Sequence, residues 1–465
     1  MRVSHAATGA SLVFDDPTLV SCGGLPAVMG LAQKAGLHEL VEKHVHIDAE
    51  GGANPHLKIP ALVAGMCVGA DSIDDMDVLR HGAMNRLFTG ARAPSTLGTF
   101  LRTLTFGHVR QLDAVASRFL TGLAAHAPLL AGADAVAFLD IDDTLKQTYG
   151  YGKQGAGYGY TGVKGLNALI ATVSTPTGAP VIAATRLRKG SANSARGATK
   201  LLCDALTTAR KAGATGLVIV RADSAYYSAD IVAACRRAGA RYSITTRQDP
   251  AVRSAISAIG EDKWVGIKYP EAVWDDEGQC WISDAEIAET HFTAFTGRLT
   301  KLHATGRLIV RRVKRLNPKA SSGGGSEQDV LFDTYRYHAC FTDSQMTLVQ
   351  AESQHRGHAV IEQLLADLSD GPLAHLPSGK FTANAAWLAI AAIARNLTRA
   401  AGTLAGRRHA RARAATIRRD LIAVAARAAR HGRDRLTLHL PEGWHREHEW
   451  LNFWEAACGP PAAAA

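Results

Sequence analysis

Apolar positions change their spacing along this chain, and each change marks a different kind of element. From about Ser21 to Ala125 the apolar residues recur at helical intervals. Leu25 to Val45 brings Val28, Leu31, Ala35 and Leu40 near one face, Ile59 to Ala70 is short and apolar, and Ala93 to Leu120 opens on Pro94 and Ser95, a helix start. From Ala135 to about Arg247 strands and helices alternate. Ala135 to Asp142 is a buried strand by its apolar run. Leu166 to Thr175 and Ala179 to Leu187 form a strand pair turning near Pro176 and Gly178. An amphipathic helix over Gly197 to Gly213, a strand over Thr215 to Asp223, a helix over Ser228 to Gly239 and a strand over Arg241 to Arg247 follow. This texture predicts an α/β core.

Between about Asp249 and Gln345 the pattern shifts to short alternating strands, with a flexible loop by composition over Asn317 to Asp329. Helical spacing then returns. His358 to Leu368 is amphipathic, Thr382 to Gly402 is apolar almost all round, and Arg407 to Leu436 is dense in arginine. The expected organisation is a helical region over 1–125, for DNA binding or dimerisation, and a core over 126–248. A β-rich insertion spans 249–340, the core resumes over 341–402, and an arginine-rich helical region covers 403–465.

Composition adds the sign of the partner. Lys and Arg total 52 against 42 Asp and Glu, a net charge of +10 over 465 residues. A basic balance favours a polyanion, because each neutralised phosphate releases condensed counterions, although an unrelated basic enzyme has the same balance. Arg86, Arg92 and Arg102 surround the helix opening at Pro94, and Arg407, Arg408, Arg411, Arg418 and Arg419 form a second basic stripe. Each group has a bland reading beside the DNA-facing one: helices packing on the core, and a solvated helix face. The seven cysteines are scattered singly, without zinc-ligand spacing, which fits reduced thiols. No secretory leader or apolar run long enough for a bilayer is evident, so a cytoplasmic, nucleoid-associated bacterial protein with no membrane partner is expected.

Three stretches supply acids where a metal-dependent nuclease would need them. LDIDDT carries Asp140, Asp142 and Asp143. Strand alternation puts Asp140 and Asp142 on one face and Asp143 on the other. Asp142, nearer the strand end, is the first choice of ligand and Asp140 the second. VIVRADSAYY delivers Asp223 at a strand's carboxyl end, where α/β folds place ligands; Ser224 and Ser228 suggest a helix-capping role instead. HRGHAVIEQ carries Glu362 on a helix near His358 and Arg356. A lone helical glutamate is ordinarily a solvated charge.

Taken together, these stretches resemble DDE-type insertion-sequence transposases of the IS1380 family. The likeness runs from about Ser21 to Gly402 and is strongest in LDIDDTLKQTYGYGKQGAGYGYTGVKGLNAL, RADSAYYSADIV and HRGHAVIEQLLADLSDGPLAHLPSGKFTANAAWL. It implies an RNase H-like core, two Mg²⁺ or Mn²⁺ ions per active site, and cut-and-paste movement of an element with terminal inverted repeats. Double-stranded DNA is the implied partner and a homodimer the minimal assembly. Carried over residue by residue, Asp142, Asp223 and Glu362 are the catalytic acids. Relatives with such an insertion carry a tyrosine–arginine–glutamate–lysine signature around the third acid. Here Arg356 lies two positions too far from Glu362, no tyrosine precedes it, and Ser369 occupies the lysine's place, which keeps Glu352 open as an alternative.

The resemblance also suggests DNA contacts from Arg356, His358, Lys146 and Lys164, and base stacking on Trp264, Trp274 or Trp281, otherwise core aromatics. Other readings stand beside it: a nuclease that cuts without strand transfer, a DNA-binding descendant of a transposase that has lost catalysis, and a phosphatase using Asp140 in a DxDxT pattern.

Overall fold

The structure is a computed structural model, describing residues 12–149, 152–159, 162–270, 272–314, 335–431 and 435–459. The loop expected over Asn317 to Asp329 lies outside the described residues. A long helix α1 (Phe106–His126) leads into the first core strand, β1 (Val136–Gln147). β2 (Lys164–Ser174) and β3 (Val181–Lys189) return as an antiparallel meander, the expected strand pair. Helix α2 (Ala198–Lys211) then carries the chain across to β4 (Leu217–Ala222), which lies parallel to β1 on its other side. Helix α3 (Ala229–Arg237) leads to β5 (Arg241–Thr245), parallel to β4. The Ser228 hydroxyl caps α3 by accepting the Ile231 amide, as its place before an apolar run predicts.

The β-rich stretch is not a separate layer. Its strands β6 (Ala285–Ala294) and β7 (Ala304–Lys314), with β8 (Tyr335–Thr342), extend the same sheet in the order β3-β2-β1-β4-β5-β8-β7-β6. β8 pairs antiparallel with β5, and β7 and β6 continue antiparallel beyond it. The stretch keeps small apolar clusters of its own, one around Val252, Leu308 and Val310.

After β8 come α4 (Leu348–Arg356), a short 3₁₀ turn over Gly357–Ala359, α5 (Val360–Ser369) and α6 (Phe381–Ala405). The apolar surround of α6 has the expected consequence. It runs through the middle of the molecule, touching α1, β3 and the N-terminal helix Pro55–Val68, and buries Trp387 completely. No helix among the described residues is long and apolar enough to cross a membrane.

Both flanking regions differ in detail from their periodicity. The Leu25 to Val45 stretch breaks into two helices at Gly36, whose φ of +82° suits a residue without a Cβ. Ala93 to Leu120 breaks before Thr105, which caps α1. The arginine-rich region is not the expected helix. Short turns over Arg407–Ala410, Ala414–Ile417 and Arg418–Ile422 give way to a hairpin, Ala426–His431 with Arg435–His439, which pairs with Leu19–Val20. The reason is a period of two: Val424, Ala426 and Ala428 are buried while Ala425 and Arg427 are exposed. The high helix propensity of Ala and Arg masks that alternation. Buried side chains from Val20 to Ala457 join in one continuous core, so the two ends pack on the sheet's own foundation.

Candidate active site

β1 is longer than its apolar run suggested, and the excess explains where the site lies. Parallel pairing with β4 ends at Ile141–Ala222, whereas antiparallel pairing with β2 continues to Gln147–Gly165. Asp142 and Asp223 are the next residues on the two parallel strands. They stand side by side where β4 stops and β1 goes on.

Four acids meet this zone, and two are already neutralised. Asp140 is fully buried; its oxygens accept both Arg221 Nε at 2.7 Å and Arg221 Nη2 at 2.8 Å, and His358 Nδ1 lies 3.0 Å from Oδ1. Both oxygens of Asp140, the second choice of ligand and the acid of the DxDxT pattern, are thus taken inside the core. Asp143, on the opposite face as alternation requires, pairs with Arg188, which Asn167 and the carbonyls of Asn193, Ser194 and Arg196 hold in place.

Asp142 and Asp223 have no such cation. Asp142 accepts the Asp143 amide at 2.7 Å and Asp223 the Ala225 amide at 2.9 Å, and neither forms an ion pair among the described residues. Burial pushes the Asp142 carboxyl up to about 6, with the charges of Asp223 and Asp143 adding to the push and His358 opposing it. Asp223 is raised as well, first by burial and then by Asp143, with the Ala225 amide and His358 pulling the other way. The capping role suggested for Asp223 is real: its side chain caps the 3₁₀ turn Ser224–Tyr226. That uses one oxygen and leaves the other.

The shift has a pH consequence. A carboxyl whose folded pKa lies above its unfolded value binds more protons when folded, so stability falls as pH rises from about 4 through 6. Asp142→Asn removes that penalty while Asn Oδ1 still accepts the Asp143 amide. Thermal unfolding is expected to show the variant more stable than wild type at pH 8, on the order of 1–2 kcal/mol, with the gain vanishing near pH 4. Equal stability of the two proteins at pH 8 contradicts the strained carboxylate.

Helix α5 lies along β1 and is tied to it at both ends. His358, just ahead of the helix, meets Asp140, and Lys146 Nζ donates to Ser369 Oγ at 2.8 Å. Glu362 is four residues after His358 and seven before Ser369, spacings that share a helix flank. It is exposed and makes no hydrogen bond or ion pair among the described residues. Among those residues no three His, Cys, Asp or Glu side chains converge as a metal cage. The structure thus joins Asp142 with Asp223 and leaves Glu362 on the neighbouring helix, outside a common cluster. Glu352, the other candidate, is buried and paired with Arg311 and Arg356, which occupies it structurally.

The expected DNA-contacting residues are dispersed. Arg356 is half-buried against Glu352 and the Tyr269 ring, and His358 is held by Asp140. Lys146 is partly buried, which lowers its pKa, while Lys164 is exposed at the start of β2. Arg102 and Arg407 are exposed; Arg411 is exposed too but donates to the carbonyls of Pro176 and Thr177. Trp264 lies under Arg312 and beside Tyr337, a core aromatic, whereas Trp274 and Trp281 pair at 5.1 Å on a short hairpin with Trp274 exposed. Sequence reading missed Arg221 and Arg188. An arginine inside an apolar strand, as in VIVRAD, is the signal that could have found the first.

The sequence model of the family described as Transposase DDE domain group 1 matches residues 10–456, nearly the whole chain. The chain belongs to the DDE transposases. A search of curated proteins finds no match. Family membership carries transposase function and DNA as the partner, and domains of this family generally use divalent metals.

The pair Asp142–Asp223 fits such a cation by its chemistry. The partly buried Asp142 and the exposed Asp223 repel one another, each retains acceptor capacity, and neither forms an ion pair among the described residues. Hard oxygen donors of this kind are what Mg²⁺ and Mn²⁺ take.

Proposed function

We propose that this transposase, of the IS1380 type, cuts DNA at the terminal inverted repeats of its element and joins the freed ends to a target. The single observation that carries the reading is the Asp142–Asp223 pair, adjacent where the parallel pairing of β1 and β4 ends, raised in pKa and without an ion-pair partner among the described residues. The strand order supports an RNase H-like core: a three-stranded antiparallel meander, β1 to β3, followed by two strands parallel to β1 on its other side.

Asp142 and Asp223 would hold Mg²⁺ or Mn²⁺, with Glu362 completing the ligand set when DNA is present. A divalent cation there would supply the Lewis acidity that polarises a scissile phosphodiester. The chain's own groups do the rest. Arg221 and Arg188 neutralise Asp140 and Asp143, so that the unpaired negative charge is confined to the working pair. Lys146, anchored at Ser369, brings an ammonium to the place on α5 where the helix itself has no lysine. Lys164 and the exposed Arg102 and Arg407 add positive charge for the duplex backbone. In the first reaction a water oxygen bonds to phosphorus and the bond to the 3′-oxygen breaks, freeing a 3′-hydroxyl. In the second that hydroxyl attacks a target phosphodiester and displaces a target 3′-hydroxyl. Neither step needs a covalent protein–DNA bond, and joining two ends calls for a dimer.

The test is incubation of the full chain with linear DNA ending in the inverted repeats that flank its reading frame. Divalent-ion-dependent release of 3′-hydroxyl ends at the repeats, followed by their joining to a second DNA, is the expected result. Binding of the ends without any cleavage would identify a DNA-binding descendant instead, and cleavage without joining a nuclease.

A further inference from the structure

A cavity of about 380 Å³ opens on the side of α5 away from β1's carboxyl end, between that helix, the Thr175–Pro180 turn and the Ala412 loop. Its wall is unusually basic: Arg221, Arg395, Arg399, Arg411 and Arg413 all line it. The one carboxylate among the lining residues is Asp367, already held by Arg395 Nη2 at 2.8 Å and the Ala414 amide at 3.1 Å.

The arginines fall into two groups. Arg221 spends its donors on Asp140 and the Gln354 carbonyl, and Arg411 on the 176–177 turn. Arg395 and Arg399, 4% and 3% exposed and one helical turn apart on α6, keep donors unmade: Arg399 gives Nη1 and Nη2 to the carbonyls of His409, Ala410 and Ala412, and Arg395 gives Nη2 to Asp367, but Arg395 Nε and Nη1 and Arg399 Nε have no acceptor. Burial lowers the pKa of both guanidinium groups, and the charge of Arg395 bears further on Arg399. A buried guanidinium with unmade hydrogen bonds is costly, and two of them bordering one opening repel each other. A single acidic group cannot balance both. Arg413 stands exposed at the mouth with no partner among the described residues, adding a further positive charge.

From this geometry we infer that the cavity is a phosphate-binding site, distinct from the carboxylate pair, which takes a phosphodiester of bound DNA or a free phosphate group. A tetrahedral oxyanion offers several acceptors to planar guanidinium donors, and its charge removes the Arg395–Arg399 repulsion. Phe138, Pro180 and Leu364 supply an apolar rim that excludes water from the contact. One wall is the flank of α5 bearing Gln363 and Asp367, a neighbour of the flank bearing Glu362. An occupant therefore braces the helix that carries the third candidate acid. The inference shares with the proposed function only the idea that DNA is a partner.

Gln363 is exposed and lines the cavity, so it tests the site without disturbing the buried arginines. The full chain is heated in inorganic phosphate and in chloride at matched ionic strength. Phosphate is expected to raise the unfolding midpoint by about 3 °C. Gln363→Glu, which sets a carboxylate against the anion, loses the rise, Gln363→Ala keeps it, and Arg413→Ala loses part of it. No rise in the wild type, or an undiminished rise in Gln363→Glu, overturns the site. A second arm measures affinity for a labelled duplex without divalent ions. Loss of about tenfold on adding phosphate at constant ionic strength, absent in Gln363→Glu, assigns the cavity to a backbone phosphodiester. Unchanged duplex affinity with the thermal rise intact overturns that source and assigns it to free phosphate. Neither arm requires cleavage, so failure here and failure of the catalytic reading are separate results.

Discussion

Asp142→Ala and Asp223→Ala, each made singly, are expected to lower cleavage at the element ends by at least about 10³-fold while leaving binding of those ends within about threefold. The two acids are adjacent where the β1–β4 pairing ends, and each alone retains acceptor capacity in that zone. Removing either leaves a single carboxylate, too little charge to hold a hydrated divalent ion near a polyanion. Because the pair acts as a unit, the double variant should be no worse than either single one. Glu362→Ala is expected to lose cleavage by a comparable factor, although Glu362 is exposed and lies outside any common cluster. Glu352→Ala should behave otherwise. Its carboxylate neutralises Arg311 and Arg356, so its loss lowers stability first. Gel assays of cleavage and binding on the same DNA separate these outcomes. Full cleavage by Asp142→Ala or Asp223→Ala removes the proposed site altogether.

The second large effect is on stability. Arg221→Met should destabilise the chain by about 3–5 kcal/mol, because it strands Asp140 as a wholly buried carboxylate with only His358 beside it. Arg221 also loses its bond to the Gln354 carbonyl and its place over the Phe138 ring, 4.3 Å away. Replacing both partners, as Arg221→Met with Asp140→Leu, is expected to recover most of the loss, since an apolar pair carries no desolvation cost. Urea unfolding of the wild type, the single variants and the double variant gives the cycle. A loss below about 1 kcal/mol for Arg221→Met contradicts the view that Asp140 is a structural charge. The distinction bears on function, because it is what separates Asp140 from Asp142 two residues later on the same face.

Much of this arrangement is visible in residue order, and the parts that are not share a cause. The alternation LDIDDT assigns faces correctly: Asp143 turns to Arg188, and Asp140 turns to Arg221. The core strands and the helices α2 and α3 follow from local apolar spacing. Which acids carry a cation partner depends on arginines 81 and 45 residues away, and no local pattern reports that pairing. The extension of the sheet by β6 to β8 is hidden for a similar reason. Short alternating strands read alike whether they form a separate layer or join an existing edge, and only the β5–β8 pairing decides it. The C-terminal hairpin was concealed by composition, since alanine and arginine favour helix while their burial alternates. Lys146 illustrates the converse. Ser369 looks like the loss of a cation from α5, yet the strand beside it delivers one to the same point.

The claim beneath all of these is that Asp142 and Asp223 jointly hold a divalent cation. Titration of Mn²⁺ into the full chain, followed by the loss of its free electron-paramagnetic-resonance signal, measures that directly and without DNA. The account predicts saturable binding in the wild type that weakens by about tenfold or more in Asp142→Asn and in Asp223→Asn, and is unchanged in Asp140→Asn wherever that variant remains folded. Binding of equal strength in the wild type and both variants, or none in the wild type, contradicts it.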